Sequence, residues 1–598
     1  MNLNKEQLAA VNSDSDRILT VAGAGTGKTH VLTNRIQRLV ESGESPNTML
    51  ALTFTRKAAG EMRDRLGKML TPAKAGKMRI GTFHAIALQV VKDWGDRLGY
   101  KPNLSIYDQV DQRDVIESII KDFGEKVSVG LVLEVMQHEA ERKTPAHPKR
   151  LEVLHILHQY KNILRRYNAL DYQGLLDTAL KLMIEFPEVI LHYRRLWRLV
   201  FVDEYQDTDI VQWDFLQILS PDKLFVVGDY RQSIYGWRGA RPDLLMKYAD
   251  IATRFDLVKN YRSLPGIVYF ANNIVSSALY GEPLIPTRKS PRKVHVHTGA
   301  FADLLHEGIY IVETIKELVD HHDYRYADIA VMARKNGQLK NFAQWLKDSR
   351  YDEDVPFVRI GSKLDFWKSE PVRVCALALR LINNPFDNRT LYSILRTLNI
   401  EVPDLKRLEW MANKAGQPMF TFLPEDNPVR RGCAYACNSK VGDYPASVVF
   451  KIFTRHCDIK GHYSESKRTT KAGLVAKFAE ILDYSLIPWT LQSFLEWHAF
   501  REIEDELSEE ETGDTVRLMT VHAAKGLEFP VVIVMGCTDE DFPAMKGDEQ
   551  EERRLFYVAA TRPREGLYVT CPLMNEWGGL NRPSRFMTTS KKGPKRNV

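Results

Sequence analysis

The sequence VAGAGTGKTH, residues 21–30, has the pattern of a phosphate-binding loop set between a strand and a helix. Residues 18–21 are apolar or β-branched, as in a short buried strand, and apolar side chains recur at helical spacing between residues 31 and 40. The small residues between them allow backbone N–H groups to curl around a phosphate, which the positive end of the helix also attracts. In such a loop Lys28 reaches the β- and γ-phosphates, and the Thr29 hydroxyl holds Mg²⁺. A nucleoside triphosphate site is therefore predicted, formed by Ala22, Gly23, Ala24, Gly25, Thr26, Gly27, Lys28 and Thr29.

The composition is that of an ordinary globular protein with several domains. The length of 598 residues corresponds to about four domains of usual size, and 44% hydrophobic with 27% charged residues is unremarkable. No apolar run approaches the ~18 residues of a membrane span, and the beginning, MNLNKEQ, is not a signal peptide. Six cysteines in so long a chain do not indicate a disulfide framework. We therefore expect a cytoplasmic protein with no membrane partner, and its net charge of +6 permits a polyanionic one.

An acidic pair, Asp203 and Glu204, follows the apolar residues 199–202. At the end of a buried strand, Asp203 would hold Mg²⁺, and Glu204 would orient the attacking water and accept its proton. Such pairs are common by themselves, but a pair that follows a phosphate-binding loop in the same chain is much less so. The alternative, a glycine-rich turn that binds nothing, leaves the Lys-Thr pair of the loop unexplained. Together the two features predict hydrolysis of the bound nucleotide.

Aromatic and basic residues follow another predicted strand, at 224–227. Gln232 could sense the γ-phosphate, and Tyr235, Trp237 and Arg238 have the composition of a base-stacking platform. Loops at the carboxyl ends of parallel strands form a binding crevice. A strand is predicted at 49–54, followed by a helix that starts at Thr55, and a short strand and turn are predicted at 79–84. Phe54, Thr55 and His84 therefore fall where a ligand could lie. Phenylalanines at such positions can equally belong to the core.

Taken in order, these motifs resemble those of the UvrD/Rep/PcrA helicases, the three-prime-to-five-prime branch of helicase superfamily one. The resemblance spans nearly the whole chain. It rests on LNxxQ at residues 3–7, AGAGTGKT at 22–29, LTFTRKAAGEM at 52–62, GTFH at 81–84, VDEYQDT at 202–208, VGDxxQSIYGWRGA at 227–240, NYRS at 260–263, IAVMAR at 329–334, VRLMTVHAAKGLEFPVVIV at 516–534, EERRLFYVAATRPREGLYV at 551–569 and RPSRF at 582–586.

The resemblance implies a role for each matching residue. Gln7 should read adenine, Tyr261 should stack on it, and Glu528 should meet the ribose. Arg262 and Arg562 should reach the γ-phosphate as arginine fingers. The single-stranded DNA track should be lined by Phe54, Thr55, His84, Tyr235, Trp237, Arg238 and His522. ATP and Mg²⁺ are the implied cofactors.

Three residues depart from the family pattern. His30 stands beside the adenine where the family usually has arginine, so we retain it in the nucleotide site. Arg231 replaces an acidic residue in GDxDQS, and Pro563 follows Arg562 where a small residue is usual. Each departure bears on the rate or the nucleotide preference, and none removes a catalytic group.

The resemblance implies an α/β fold of two RecA-like P-loop lobes with parallel sheets flanked by helices, each interrupted by a mainly helical insertion. The expected segments are 1–84 and 196–266 for the first lobe, 85–195 for an insertion with a basic face, 267–385 and 516–590 for the second lobe, 386–515 for a divergent accessory insertion, and 591–598 for a basic disordered tail. The basic face would contain Arg142, Lys143, Lys149, Arg150, Lys161, Arg165 and Arg166, and the acidic residues 502–511 would form a linker.

The accessory insertion leaves two questions open. It lacks the helix-hairpin signature of the family, so duplex contact and autoinhibition by it are in doubt. Its cysteines and histidines could bind zinc, although their spacing matches no common zinc module and such scattered residues are usually incidental. The residues concerned are Cys433, Cys437, His456, Cys457 and His462.

The predicted function is that of an ATP-dependent DNA helicase. It would translocate three-prime to five-prime on single-stranded DNA and displace the complementary strand in repair, replication or recombination. Single-stranded DNA and junctions with duplex are the expected partners, with a protein partner possible through 386–515. A monomer is expected, and a dimer on DNA is the alternative. Competing functions are a translocase that strips proteins from DNA, an ATP-switched DNA-binding module, and a nucleotide kinase, which would leave the DNA motifs unexplained.

Overall fold

The structure is a computed structural model that describes two compact units of the chain. It covers all residues except 1–2, 125, 141–149, 276–281, 291–294, 348–354, 361–363, 435, 437–439, 465–468, 484–488, 502–512, 546 and 588–598. One unit, which we call the sheet unit, comprises Met1–Phe83, Leu191–Gly361 and Ile503–Val598 and contains both six-stranded sheets. The helical unit comprises His84–Ile190 and Ser362–Glu502.

The first lobe of the sheet unit is a parallel sheet with helices. Its strands lie in the order Arg79–Thr82, Met49–Thr53, Leu199–Val202, Lys223–Gly228, Arg17–Ala22 and Thr253–Leu257. The four central strands are buried along almost their whole length, which is why they read as continuous apolar runs. Its helices are Lys5–Asn12, Lys28–Glu41, Arg56–Met69, Pro72–Ala75, Ile210–Leu219 and Asp243–Ala249.

The second lobe of the sheet unit has the same architecture. Its six parallel strands lie in the order Val296–Phe301, Pro563–Pro572, Phe529–Val534, Ile329–Ala333, Val516–Thr520 and Phe357–Arg359. Its helices are Pro265–Ile274, Leu304–His322, Asn336–Leu346 and Glu549–Ala560, and the short strands Lys259–Asn260 and Ile285–Pro286 pair beside them. The predicted fold of two RecA-like lobes with parallel sheets is confirmed.

The helical unit is built from both insertions. Its helices are Phe83–Trp94, Gln109–Phe123, Val129–Ala140, Arg150–Arg166, Tyr172–Glu185, Leu364–Lys368, Glu370–Asn383, Asn388–Thr397, Leu405–Ala415, Pro428–Gly432, Ala446–His456, Ile459–Ser464, Thr469–Asp483 and Leu491–Ala499, and the helix Pro187–Leu196 spans the boundary with the sheet unit. Two short strands, Ser105–Tyr107 and Ala169–Asp171, pair in parallel. The boundary expected at residue 385 lies inside this unit, because the helix Glu370–Asn383 packs here.

A buried polar network joins the two chain segments of the helical unit. Asp111 accepts hydrogen bonds from Arg373 Nη2 at 2.7 Å and from Arg380 Nη1 at 2.5 Å. Burial would raise the pKa of Asp111, but the two guanidinium groups lower it to about 2. Asp387 is fully buried and accepts a hydrogen bond from the Tyr107 hydroxyl at 2.6 Å. Buried ion pairs and hydrogen bonds therefore join the two chain segments, each of which also has an apolar core of its own.

The structure describes part of the proposed zinc cluster and part of the charged segments. Cys433 and Cys457 lie in the apolar core of the helical unit, and Cys437 is outside the described residues. Within the described ranges no group of three or more His, Cys, Asp or Glu side chains could hold a metal ion. Of the expected basic face, Arg150, Lys161, Arg165 and Arg166 are exposed. Arg142, Lys143, Lys149, the acidic residues 502–511 and the tail 591–598 lie outside the described residues.

Candidate nucleotide site and nucleic-acid surface

The phosphate-binding loop runs from the end of the strand Arg17–Ala22 to the start of the helix Lys28–Glu41. Gly25 and Gly27 have φ values of +70° and +87°, which favour glycine. A Cβ atom added to Gly25 would lie 2.6 Å from Arg262 Cβ, so this position also requires the smallest residue for space. The loop therefore approaches its neighbours too closely for any side chain at Gly25.

Residues of the NYRS segment hold the loop from outside. Asn260 Nδ2 donates to the carbonyl of Ala24 at 2.7 Å, and the backbone N–H of Tyr261 donates to the carbonyl of Gly25 at 2.9 Å. The amide oxygen of Asn260 accepts from the backbone N–H of Arg262 at 3.0 Å. The arrangement ties the predicted adenine-stacking residue and the first predicted arginine finger to the phosphate-binding loop.

The predicted catalytic and metal-binding residues meet at the mouth of the loop. Lys28 Nζ lies 3.1 Å from Glu204 Oε2, and the Thr29 hydroxyl lies 3.4 Å from Asp203 Oδ2. Burial and the charge of Glu204 raise the pKa of Asp203. A hydroxyl and a carboxylate oxygen are hard donors that suit Mg²⁺, and a divalent cation would offset the repulsion between the two carboxylates. The residues present therefore fit a magnesium ion.

Glu204, the predicted base, lies at a strained turn. It adopts a φ of +52°, a strained value for a residue with a side chain, at the turn that follows the strand Leu199–Val202. Burial would raise the pKa of Glu204, but Lys28, Lys525 and a hydrogen bond from Gln206 lower it. The side chain of Glu204 is thus ionised near pH 7.

The second predicted arginine finger, Arg562, crosses from the second lobe to the first. Its Nη2 donates to Gln232 Oε1 at 3.3 Å and to the Thr561 hydroxyl at 3.0 Å. Its other donors reach the carbonyls of Val558 at 3.0 Å and Leu527 at 3.2 Å. These acceptors are all neutral, and burial together with Arg262 lowers the pKa of Arg562. An anion bound in this cleft would therefore stabilise the charged form of Arg562.

Arg262 and Glu528, assigned to the γ-phosphate and the ribose, face each other across the lobes. Arg262 Nε lies 2.5 Å from Glu528 Oε2, and Arg564 pairs with the other oxygen of Glu528, with Nε donating at 3.0 Å. In this conformation Glu528 is therefore engaged by two guanidinium groups. A ribose hydroxyl would have to compete with them.

The adenine side of the site is braced by the helix Lys5–Asn12. Gln7 Nε2 donates to the carbonyl of Thr26 at 2.9 Å, and Asn4 Nδ2 donates to the Tyr261 hydroxyl at 2.8 Å. His30 lies in the first turn of the helix after the loop, where Asn34 Nδ2 donates to its carbonyl at 2.7 Å. Gln7 and Tyr261 thus both contact the phosphate-binding loop.

Phe54, Tyr235 and Trp237 form an aromatic platform in the sheet unit. Phe54 stacks on Tyr235 with ring centroids 4.8 Å apart and planes inclined by 17°. Tyr235 is only 6% exposed, whereas Trp237 is 53% exposed with the Arg238 guanidinium 4.7 Å from its ring centroid. Trp237 is therefore the exposed ring of the platform, and the buried Tyr235 packs against its edge.

The other predicted DNA residues have different surroundings. The Thr55 hydroxyl accepts from the backbone N–H of Ala58 at 3.1 Å and so caps the helix Arg56–Met69. His84 belongs to the helical unit, where it packs edge-on against Tyr172, and burial lowers its pKa to about 4. Burial and the charge of Arg334 lower the pKa of His522 to about 4. Both histidines are therefore neutral near pH 7.

Lys525 links the nucleotide side to the aromatic platform and was missed by sequence reasoning. It is 6% exposed, and its ammonium group pairs with Asp207 Oδ2 at 2.5 Å and donates to the carbonyl of Gln232 at 2.7 Å. The same group lies 4.6 Å from the ring centroid of Tyr235. The motif AAKGLEF contains this lysine, but spacing along the chain gives no sign of a contact 318 residues away.

The helix Glu549–Ala560 of the second lobe also holds the platform. Glu551 Oε1 accepts from the backbone N–H of Gly236 at 3.0 Å, and Arg554 Nε donates to the carbonyl of Ser233 at 2.6 Å. Both lobes therefore contribute to the support of Trp237.

Pro563, one of the three departures from the family pattern, begins the strand Pro563–Pro572, a position where a missing N–H is tolerated.

No helix in the described part of the chain combines the length and apolar character needed to cross a membrane.

Comparisons with known proteins match almost the entire chain. The family model of the UvrD/REP helicase N-terminal domain matches residues 3–252, and that of the UvrD-like helicase C-terminal domain matches residues 255–426 and 445–573. The chain is 29% identical to the ATP-dependent DNA helicase PcrA of Staphylococcus aureus (strain Mu50 / ATCC 700699), over 98% of this chain and 86% of that protein. It is 28% identical to the protein of the same name from Staphylococcus epidermidis (strain ATCC 12228 / FDA PCI 1200), with the same shares covered.

Proposed function

Because the chain belongs to the UvrD/Rep family of DNA helicases, we propose that it uses ATP to move three-prime to five-prime along single-stranded DNA and to displace the complementary strand. The chain is an ATP-dependent DNA helicase of the PcrA/UvrD type.

Hydrolysis of ATP would take place between the two lobes. Lys28 would bind the β- and γ-phosphates, and Glu204 would accept the proton of the attacking water. Thr29 and Asp203 would hold Mg²⁺, which neutralises phosphate charge when it is bound. Arg562, whose present acceptors are neutral, would turn toward the γ-phosphate and stabilise the charge that develops on it.

The observation that carries the coupling to DNA is the position of Lys525. Its ammonium group pairs with Asp207, three residues after Glu204 of the acidic pair, and lies against Tyr235 of the aromatic platform. A change in the separation of the lobes must therefore move a group that touches both the nucleotide side and the platform. We propose that this contact lets the nucleotide state set the grip of Trp237 on a base, since each conformation binds the strand with its own affinity.

The proposal extends to the substrates, the partners and the cellular location of the enzyme. Single-stranded DNA and its junctions with duplex are the substrates, and the enzyme acts as a monomer in the cytoplasm, in repair, replication or recombination. The accessory insertion 386–515 would contact a protein partner. A translocase that removes proteins from DNA without unwinding it is the second candidate, because this insertion lacks the helix-hairpin signature expected for duplex contact.

ATP hydrolysis with and without single-stranded DNA tests the proposal. We expect DNA to stimulate hydrolysis and Lys28→Ala to lower the stimulated rate by about 10²-fold or more, because a phosphate contact is lost. Lys68→Ala is the matched control, since Lys68 is exposed in the last turn of the helix Arg56–Met69. Hydrolysis that ignores DNA, or that survives in Lys28→Ala, would contradict the assigned site.

Strand displacement separates the two candidate functions and tests the polarity. A duplex with a three-prime single-stranded tail should be unwound and one with a five-prime tail should not. Preference for the five-prime tail would refute the proposed direction. Removal of a protein block from single-stranded DNA, without unwinding of either duplex, would favour the translocase.

A further inference from the structure

Arg231, which stands where the resembled family has an acidic residue, is buried beside the phosphate-binding loop. It is 3% exposed, and its Nε donates to Asp229 Oδ1 at 2.8 Å while its Nη1 donates to the carbonyl of Glu282 at 3.1 Å. A Cβ atom added to Gly23 would lie 2.9 Å from Arg231 Nη2. The guanidinium is thus fixed in a polar pocket immediately behind the loop.

Asp229, the partner of Arg231, also binds the side chain of Gln232. Its second oxygen, Oδ2, accepts from Gln232 Nε2 at 2.6 Å, and Asp229 is fully buried. A carboxylate can only accept hydrogen bonds, so the NH₂ group of Gln232 must face it. The carbonyl oxygen of Gln232 is consequently directed to the other side, where Arg562 Nη2 lies 3.3 Å away.

The orientation of the Gln232 amide decides what Arg562 meets. With its oxygen toward Arg562, the amide accepts from a guanidinium that can only donate. A flipped amide would present N–H groups to the same guanidinium, and two donors would repel. The chain of contacts Arg231–Asp229–Gln232–Arg562 therefore gives each donor one acceptor and connects the first lobe to the arginine finger of the second.

We propose that Arg231 is a positioning residue of the ATPase: it holds the Asp229 carboxylate so that Gln232 keeps its carbonyl oxygen toward Arg562. The inference rests on the proposed function, in which Arg562 acts on the γ-phosphate. Arg231 does not touch the nucleotide in this role. It keeps Gln232 and Arg562 in register, so that both reach the γ-phosphate together when the lobes close.

Loss of the guanidinium should affect the chemical step more than the binding of ATP. A buried carboxylate without its cation turns toward other donors or takes up a proton, and Gln232 is then no longer held in one orientation. For Arg231→Met we expect kcat of the DNA-stimulated ATPase to fall by about 10-fold to 100-fold, as when a reacting group is misplaced by about 1 Å. KM for ATP should stay within about threefold, because Lys28 and the loop are unchanged.

A double-mutant cycle with Gln232→Ala distinguishes positioning from a general structural role. If Arg231 acts through Gln232, Arg231→Met should lower kcat less than about twofold further in the Gln232→Ala background. Equal fractional losses in both backgrounds, or an unchanged kcat in Arg231→Met, would overturn the inference. Arg198→Met is the matched control, because it removes an exposed Arg–Asp pair, in which Arg198 lies 2.7 Å from Asp222. This pair precedes the strands Leu199–Val202 and Lys223–Gly228, at the amino-terminal ends of the strands and away from Gln232.

A second variant keeps the test decisive if Arg231→Met does not fold. Arg231→Gln can still donate one hydrogen bond to Asp229, and it is measured in the same double-mutant cycle. A loss of kcat that disappears in the Gln232→Ala background supports the inference. No loss of kcat, or an equal loss in both backgrounds, refutes it. An inactive wild-type chain would overturn the proposed function and this inference with it. An active wild type with an indifferent position 231 refutes the role of Arg231 alone.

Discussion

Glu307 is a carboxylic acid buried in the core of the second lobe, and it should make the stability of that lobe depend on pH. Its Oε1 accepts from the backbone N–H of Gly536 at 2.8 Å and from the Thr570 hydroxyl at 2.6 Å. Its Oε2 has no hydrogen-bond partner in the described part of the chain. Burial raises the pKa of Glu307 from 4.5 to about 7.

The direction and size of the effect follow from this pKa. Because the folded protein binds the proton of Glu307 more tightly than the unfolded chain does, its contribution to stability is complete below pH 4.5 and is lost as the pH rises through 7. A shift of this size corresponds to about 3 kcal/mol in all, at 1.36 kcal/mol per pKa unit. Most of this, about 2 to 3 kcal/mol, is lost between pH 5 and pH 8.

Glu307→Gln removes the titration and keeps an oxygen that can accept from Gly536 and Thr570. Hydrogen exchange of peptides covering residues 529–537 and 563–572 reports the opening of this core. Comparing the two proteins at the same pH cancels the intrinsic exchange rate. The ratio of the wild-type rate to the variant rate should rise on the order of 10²-fold from pH 5 to pH 8, which is the same free energy expressed as a rate.

The control is Glu313→Gln, the same chemical change at an exposed position of the helix Leu304–His322. It should leave the exchange ratio nearly constant across the same pH range. A constant ratio for Glu307→Gln as well would mean that the buried carboxyl group titrates as it does in water, and the argument from burial would fail.

Three further substitutions test the site. Glu204→Gln should bind ATP but lower its turnover by about 10²- to 10⁴-fold, because an amide cannot accept the proton; normal single-turnover hydrolysis would place the base elsewhere. Trp237→Ala should impair strand displacement more than ATP hydrolysis, since a stacked base is worth about 1–3 kcal/mol, whereas equal loss of both would indicate packing only. Lys525→Met leaves Asp207 buried without its cation and should cost roughly 3–5 kcal/mol of stability. It should also abolish stimulation by DNA while basal hydrolysis persists; retained stimulation in an ATPase assay would argue against the coupling contact.

The core of both lobes could be predicted because parallel strands that are buried on both faces form continuous apolar runs. The strands Arg17–Ala22 and Leu199–Val202 could be predicted for this reason. The ends of the strands and helices could not be predicted in this way. The short strand and turn predicted at 79–84 are a strand that ends at Thr82 and the start of a helix at the buried Phe83, which packs against Phe215. Apolar character continues through such a junction, so a pattern of hydrophobicity cannot mark it.

The candidate site could be predicted as a set of residues but not as a set of contacts. Local motifs identify Lys28, Asp203 and Glu204 because the chemistry lies within a few residues of a strand end. The pairing of Lys525 with Asp207 depends on how two lobes pack, and no spacing encodes that. Composition likewise indicates an aromatic platform without revealing which ring is exposed.

The buried network of the helical unit has a consequence for how this protein can change. Asp111 belongs to the first chain segment of the helical unit and Arg380 to the second, so this buried ion pair depends on residues from both segments. Replacing one segment with that of another protein would leave a buried charge unpaired in the other, which destabilises a fold strongly. Substitutions at these buried positions must therefore be matched across the two segments.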